Sequence, residues 1–361
     1  MTVGEPIRFE TGYPFSLSRK RSRMGETVGE VTLGLAEQLA TDLPELSPDE
    51  FAIPQAETAL VCGMGGSAIC GDLAVVLAAE KGYRLDVHRD YGLPGWAKKG
   101  RPLVLAVSYS GNTEETISAA KKALRLSLPI VAITSGGALG TLAEGEGIPI
   151  LPVPTGREPR TAFGFILRRL VFGLAAAGIV TVGDDDFSEA VQITSEILRP
   201  GSASWNLADD LAQAIGARVG VIYASTGLTA PVAQRWKTQI NENAKQAAWV
   251  SLLPELDHNE VVGWSALREI TRSHLAIVSL RDHGEHEAVA RRFAHTRSLL
   301  EDQVIWAGEV WSQGESALAR MLSLLAIGDL VSLGLARYTG TDPEPIEQIE
   351  YLKRKLRVDG D

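Results

Sequence analysis

From Thr58 onward, short apolar runs rich in β-branched residues alternate with Ala/Leu-rich stretches whose apolar positions recur at helical spacing. Most of the short runs end in Gly, Ser, Thr or Pro, which predicts strands over 59–62, 84–88, 103–108, 130–134 and 148–153. Helices are predicted over 67–81 and 113–126, the second with Ile117, Ala120 and Leu124 on its apolar side. Strands that are apolar throughout and alternate with helices belong to a parallel sheet covered on both faces, so 46–182 reads as a doubly wound α/β domain.

The pattern returns after 183–204, an acidic stretch with Gly, Pro and Ser that reads as a linker. Strands are predicted over 219–225, 274–280 and 304–307. The best-defined helix is 231–248, with Thr229 as N-cap and Pro231 in the first turn. A second domain over 205–340 follows. A helix over 24–39 falls in an N-terminal segment, 1–45, and a charged helix over 345–356 closes the chain within 341–361. The expected fold class is α/β: two doubly wound parallel-sheet halves with an N-terminal helix and a C-terminal closing helix.

A length of 361 residues suits two such domains. With 35 Lys and Arg against 45 Asp and Glu, the net charge is −10, which disfavours a nucleic-acid or acidic-membrane surface. An anionic substrate therefore needs a local site. Cys62 and Cys70 lie in an apolar, Gly-rich stretch without metal-type spacing, as suits a reducing cytosol. Arg19, Lys20, Arg21 and Arg23 precede no apolar targeting region, and the most apolar run, 170–183, is shorter than the roughly 18 residues needed to cross a bilayer. A soluble cytoplasmic protein is expected.

Two loops have the chemistry of phosphate sites. The first strand runs into Gly63-Met64-Gly65-Gly66-Ser67-Ala68 and then a helix, so backbone N–H groups and the positive end of the helix can face an anion. The same residues satisfy a dinucleotide fingerprint, with Gly63, Gly65 and Ala68 as its small positions and Asp86 or Asp90 as the ribose acid. The strand 103–108 ends in Ser108-Tyr109-Ser110-Gly111-Asn112-Thr113-Glu114, again opening a helix. Its three Ser/Thr hydroxyls and glycine can converge on one phosphate, whereas as a plain helix start Ser110 or Thr113 would serve only as a cap. A dinucleotide enzyme has no use for this second loop.

These two loops, with Gly71-Asp72 and Glu115, resemble the sugar isomerase (SIS) domain and, within it, the bifunctional phosphoglucose/phosphomannose isomerase family, whose two SIS halves would cover nearly the whole chain. The resemblance implies that Gly66, Ser67, Ser108, Ser110 and Thr113 bind the substrate phosphate. It also implies an aldose–ketose isomerase that interconverts glucose 6-phosphate or mannose 6-phosphate with fructose 6-phosphate through an enediol, needing no metal or cofactor.

Such a reaction needs a base that moves a proton between adjacent carbons and a second acid/base group that opens the sugar ring. In the helix 231–248, Val232, Trp236, Ile240, Ala244 and Ala247 form an apolar stripe, and Glu242 lies off it between Asn241 and Asn243. Both asparagines are poor mid-helix residues, which favours a polar site over a solvated face. Sixteen residues on comes His258, in the segment Asp257-His258-Asn259-Glu260, whereas His88 and His274 fall on predicted strands. Asn-Glu-Asn followed by His-Asn-Glu is similar to the family's catalytic segment. By that resemblance Glu242 is the isomerisation base and His258 opens the ring, supplied across a homodimer interface. Pro159-Arg160-Thr161 is similar to the segment whose arginine stabilises the enediolate. Tyr351-Leu352-Lys353-Arg354-Lys355-Leu356 is similar to the family's ending, whose lysine, here Lys353 with Lys355 as the alternative, reaches the active site.

Other readings share part of these residues. A non-catalytic SIS-type regulator that binds a sugar phosphate would need the two loops but neither Glu242 nor His258. An oxidoreductase would need only the first loop. His283 and His286, three apart, have a spacing that can hold a metal, but only His295 is near as a third ligand, and a solvated helix start is preferred.

Overall fold

The computed structural model describes residues 27–41, 53–157 and 159–358. Its first sheet has five parallel strands, β1 (Thr58–Cys62), β2 (Arg84–His88), β3 (Leu103–Ser108), β4 (Ile130–Thr134) and β5 (Ile150–Pro152), in the order β2-β1-β3-β4-β5. β5 is shorter than the expected 148–153 because the Ile148 amide donates to the Ala143 carbonyl at 2.8 Å, closing the preceding helix instead of extending the ladder. The second sheet is also parallel, with β6 (Val219–Ser225), β7 (Ala248–Leu253), β8 (Leu275–Arg281) and β9 (Ile305–Trp311) in the order β7-β6-β8-β9. In each sheet the order reverses beside the first strand, so crevices open at the carboxyl ends of the β1/β3 and β6/β8 pairs.

β7 has no counterpart among the predicted strands. It is an edge strand with Trp249 exposed and follows a helix after a three-residue gap, so the predicted helix 231–248 runs on into its first residue, Ala248, and 249–253 carry no predicted element. That helix is instead Thr229–Gln239, continued by a single π turn, Ile240–Ala244. Thr229 is not its N-cap but its first helical residue, with Oγ1 accepting the Ser225 amide at 2.9 Å. His274 ends the helix Arg268–His274 rather than opening a strand.

The stretch 183–204 carries the helix Asp184–Leu198, whose acidic first turn suits the helix N-terminus, and Asp186 accepts the Gly183 amide at 2.8 Å. This helix packs on Ala317–Thr339, the central helix of the protein, as do Ala203–Ile215 and Thr229–Gln239. Ala317–Thr339 has 23 residues and is apolar and long enough to cross a bilayer, but 89% of its most apolar window is buried in the protein, so it is a core helix. It is a longer apolar element than 170–183, and Arg320, Asp329 and Arg337 interrupt its apolar character in the sequence.

The N-terminal helix 24–39 is two short helices, Val28–Leu33 and Leu35–Ala40, separated at Gly34, and residues 24–26 lie outside the described residues. The closing helix is Glu347–Val358, two residues later than expected. Cys62 and Cys70 are free and buried, and burial pushes both thiols up, that of Cys62 to about 12. They pack the core as small apolar groups.

Candidate active site

The two predicted phosphate loops end adjacent strands at the β1/β3 crevice. After β1, Gly65 takes φ +52° and opens the helix Gly65–Ala79, where Ser67 is buried and Gly66 half-buried. Met64 is its N-cap and gives no side-chain cap, so the first-turn N–H groups are not capped by a side chain.

The serine loop is built more tightly. Its helix, Glu114–Arg125, has Thr113 at the N-cap, and again no side-chain cap is made. The Thr113 hydroxyl is instead hydrogen-bonded to that of Ser108 at 2.9 Å, so the simple capping role does not account for it. Ser110 is exposed, and its Oγ accepts the Asn112 amide at 3.3 Å. The Asn112 Nδ2 donates to the Ser110 carbonyl at 3.0 Å while Oδ1 accepts the Ala138 amide at 3.1 Å, tying the loop to the next helix. Gly111 takes φ +67°, and a Cβ there would lie 1.7 Å from the Gly136 carbonyl oxygen, so glycine is required. Of the two candidate ribose acids, Asp86 is paired with Arg84 at 2.9 Å and the Asp90 carboxylate accepts the Tyr91 amide at 2.7 Å.

The turn Pro159–Thr161 leads from β5 into the helix Phe163–Ala176 and contacts the helix Gly65–Ala79 that begins at the first loop. It brings together two of the predicted residues. The buried Arg160 guanidinium lies 3.8 Å from the Glu242 carboxylate and donates to the Glu242 carbonyl at 3.3 Å. It also donates to the carbonyls of Pro343 at 3.1 Å and Glu344 at 2.8 Å, which fixes the cation. Glu242 sits in the π turn, whose extra residue per turn shifts the side chains away from simple helical register. Its side chain keeps 27% exposure. A half-exposed carboxylate beside an immobilised guanidinium can accept a proton while the cation faces developing negative charge.

Other residues complete this corner. Lys245, with φ +55° after the π turn, donates from Nζ to the carbonyls of Glu242 and Pro343. Burial, and then the Arg160 charge, hold its amine below the usual lysine range. The Pro343 and Glu344 contributions come from backbone carbonyls, for which no sequence signal exists. Arg235 and Asp329 lie behind Arg160, and an isolated aspartate in an apolar helix was the one visible sign of that pair.

His258 stands apart. It ends the short turn Glu255–His258 beyond β7, is exposed, and has no hydrogen bond or ion pair with Glu242 or Arg160 among the described residues. Its polar neighbours are used elsewhere: Asp257 pairs with Arg292 at 2.9 Å and accepts from Thr296 at 2.7 Å, and Glu260 accepts from Tyr223 at 2.7 Å and from Ser251. Lys353 is exposed on the closing helix and has no such bond with this pair, and the Lys355 amine lies over the Tyr351 ring. His283 stacks on Trp311 and the His286 Nδ1 accepts the Ala288 amide, so both candidate metal ligands have other partners.

Two parallel α/β sheets in one chain, with a hydroxyl-rich loop at the switch point of the first, define the SIS class of sugar isomerase folds. Tagatose-6-phosphate ketose/aldose isomerase from Escherichia coli shares this fold with a TM-score of 0.67, over 89% of this chain and 95% of that one, at 15% identity. Residues 204–356 match the family model described as the bacterial phospho-glucose isomerase C-terminal SIS domain. The bifunctional phosphoglucose/phosphomannose isomerase of Caldicellulosiruptor bescii is 38% identical over 302 residues, 82% of this chain and 88% of the relative. That of Aquifex aeolicus is 36% identical over 298 residues, 82% and 89% respectively. The chain belongs to the bifunctional phosphoglucose/phosphomannose isomerase family, whose members are isomerase enzymes.

Proposed function

We propose that this protein interconverts glucose 6-phosphate or mannose 6-phosphate with fructose 6-phosphate, and that the loops at the β1/β3 crevice hold the phosphate through Gly66, Ser67, Ser108, Ser110 and Thr113. The observation that carries the chemistry is the half-exposed Glu242 carboxylate 3.8 Å from the fixed Arg160 guanidinium. In the open-chain aldose, Glu242 removes the C2 proton. The C–H electron pair becomes the C1=C2 bond, and the carbonyl oxygen becomes the enediolate oxygen that Arg160 stabilises. Return of the proton to C1, with transfer of the O2 proton to O1, gives the ketose, so no co-reactant is consumed. Glucose and mannose 6-phosphates differ only at C2 and lose that difference in the same enediol, so one base serves both. His258, as the group that opens the ring, acts in this reading from the second copy of a homodimer, and Lys353 reaches the site from the closing helix. The cytoplasm, where Cys62 and Cys70 stay reduced, is the compartment we assign.

The test is the formation of fructose 6-phosphate from each aldose and from their mixture. Each aldose is expected to inhibit turnover of the other with an inhibition constant equal to its own binding constant. Additive rates for a saturating mixture would refute one shared site. No turnover, with sugar phosphate still bound, would leave a non-catalytic SIS regulator.

The phosphate loop has its own prediction. Ser110→Ala removes one hydrogen bond to a charged group, worth about 1.5–3 kcal/mol, so the Michaelis constant should rise roughly tenfold to a hundredfold while kcat changes less. Steady-state kinetics check this, and unchanged saturation would exclude Ser110 from the phosphate site.

A further inference from the structure

We propose that the buried Arg235–Asp329 pair, continued through Ser332 to Asn243, is a positioning network that sets the separation of the Arg160 guanidinium and the Glu242 carboxylate. This rests on the isomerase reading above and adds residues that no part of that chemistry requires.

One turn of the central helix holds both ends of the catalytic pair. Toward Arg160, Asp329 receives Arg235 fork to fork, Nε to Oδ1 at 3.1 Å and Nη2 to Oδ2 at 3.0 Å. The two outer nitrogens of Arg235 then donate to the Arg160 carbonyl, each at 3.4 Å, and the guanidinium is seated over the Phe163 ring at 4.7 Å. Toward Glu242, the Ser332 hydroxyl donates to the Asp329 carbonyl at 2.7 Å and accepts the Asn243 Nδ2–H at 2.9 Å. Asn243 is fully buried in the π turn, next in sequence to Glu242. Arg160 comes from the first half of the chain and Asn243 from the second, so the network fixes two elements that share no sheet.

The side chains of Arg235 and Asp329 keep only 4% and 2% exposure. Desolvating such a pair costs about as much as the pairing returns, and apolar replacements of similar volume are often as stable or more so. Stability therefore gives little reason to retain the pair, whereas a bidentate fork has the geometric specificity that positioning requires. Asn241, by comparison, is exposed and makes no part of this network, so the two asparagines beside Glu242 differ in what they do.

The test replaces the pair together, Arg235→Met with Asp329→Leu, so that no charge is left buried alone. The expected result is a melting temperature at or above that of the parent, an unchanged Michaelis constant for fructose 6-phosphate, and a kcat lower by about a hundredfold, as small displacements of a catalytic group produce. A merely structural role would lower the melting temperature and leave kcat in place. Ser332→Ala, which keeps the ion pair and frees only the π turn, is expected to lower kcat about tenfold at constant Michaelis constant, and it decides the matter should the double variant not fold. An active parent whose folded variants keep kcat within about threefold would overturn the network alone. An inactive parent would overturn the isomerase reading and the network's role with it.

Discussion

Glu242→Gln is expected to abolish exchange of the C2 proton of glucose 6-phosphate with solvent while leaving the fold and sugar-phosphate binding intact. The amide is nearly isosteric, and the structure shows why the change is local. The contacts that hold the π turn use the Glu242 backbone carbonyl, which receives Arg160 and Lys245, and the buried Asn243 side chain, none of which the substitution removes. What is lost is the ability to accept a proton. General-base catalysis is worth at least about a hundredfold, so isomerisation of both aldoses should fall together by that factor or more. Deuterium wash-in at C2, followed by NMR, is the direct readout. Normal exchange in the variant would place the base elsewhere, and loss of only one of the two activities would separate the sites for the two epimers.

How much of this was legible in the sequence depends on which residues are considered. The centre of the first sheet is legible because β1, β3 and β4 are buried along nearly their whole length and so appear as almost unbroken apolar runs. β7 is not, since an edge strand with Trp249 and three half-buried residues lacks that signature. The stretch 183–204 reads as a linker because acidic residues beside Gly, Pro and Ser are the composition of a solvated segment. In the structure Asp184, Asp185 and Asp186 form the first turn of a packed helix, where negative charge is favoured. The same contrast holds at the candidate site. Glu242 and Arg160 were picked out by residue type and motif, but their 3.8 Å approach depends on a π turn and on the carbonyls of Pro343 and Glu344, and neither carries a residue-level signal. Asp329 could have been noticed as a lone charge amid Leu, Ile and Val. Its partner Arg235 lies 94 positions away and could not be inferred without the packing of the two helices.

His258 leads to the second large effect. Within one copy of the chain it is exposed at the end of an edge-strand turn and is not bonded to Glu242 or Arg160. The turn itself is anchored, since Asp257 is held by Arg292 and Thr296 from the helix Glu287–Leu300, and Glu260 by Tyr223 of β6. A histidine presented outward from a fixed turn suits a role in a neighbouring copy's site, as the homodimer reading requires. In a two-fold dimer each site would then combine Glu242 of one copy with His258 of the other. Glu242→Gln and His258→Asn homodimers should each lose about a hundredfold or more in activity. Co-expressing the two variants with different affinity tags and isolating the mixed dimer yields one site carrying both lesions and one carrying neither. That dimer should recover about half of the parent activity per dimer. Activity no higher than that of the two impaired homodimers would mean that His258 acts within its own chain, an unimpaired His258→Asn homodimer would mean that it takes no part in the reaction, and failure to isolate any mixed dimer from cells making both variants would remove the shared interface itself.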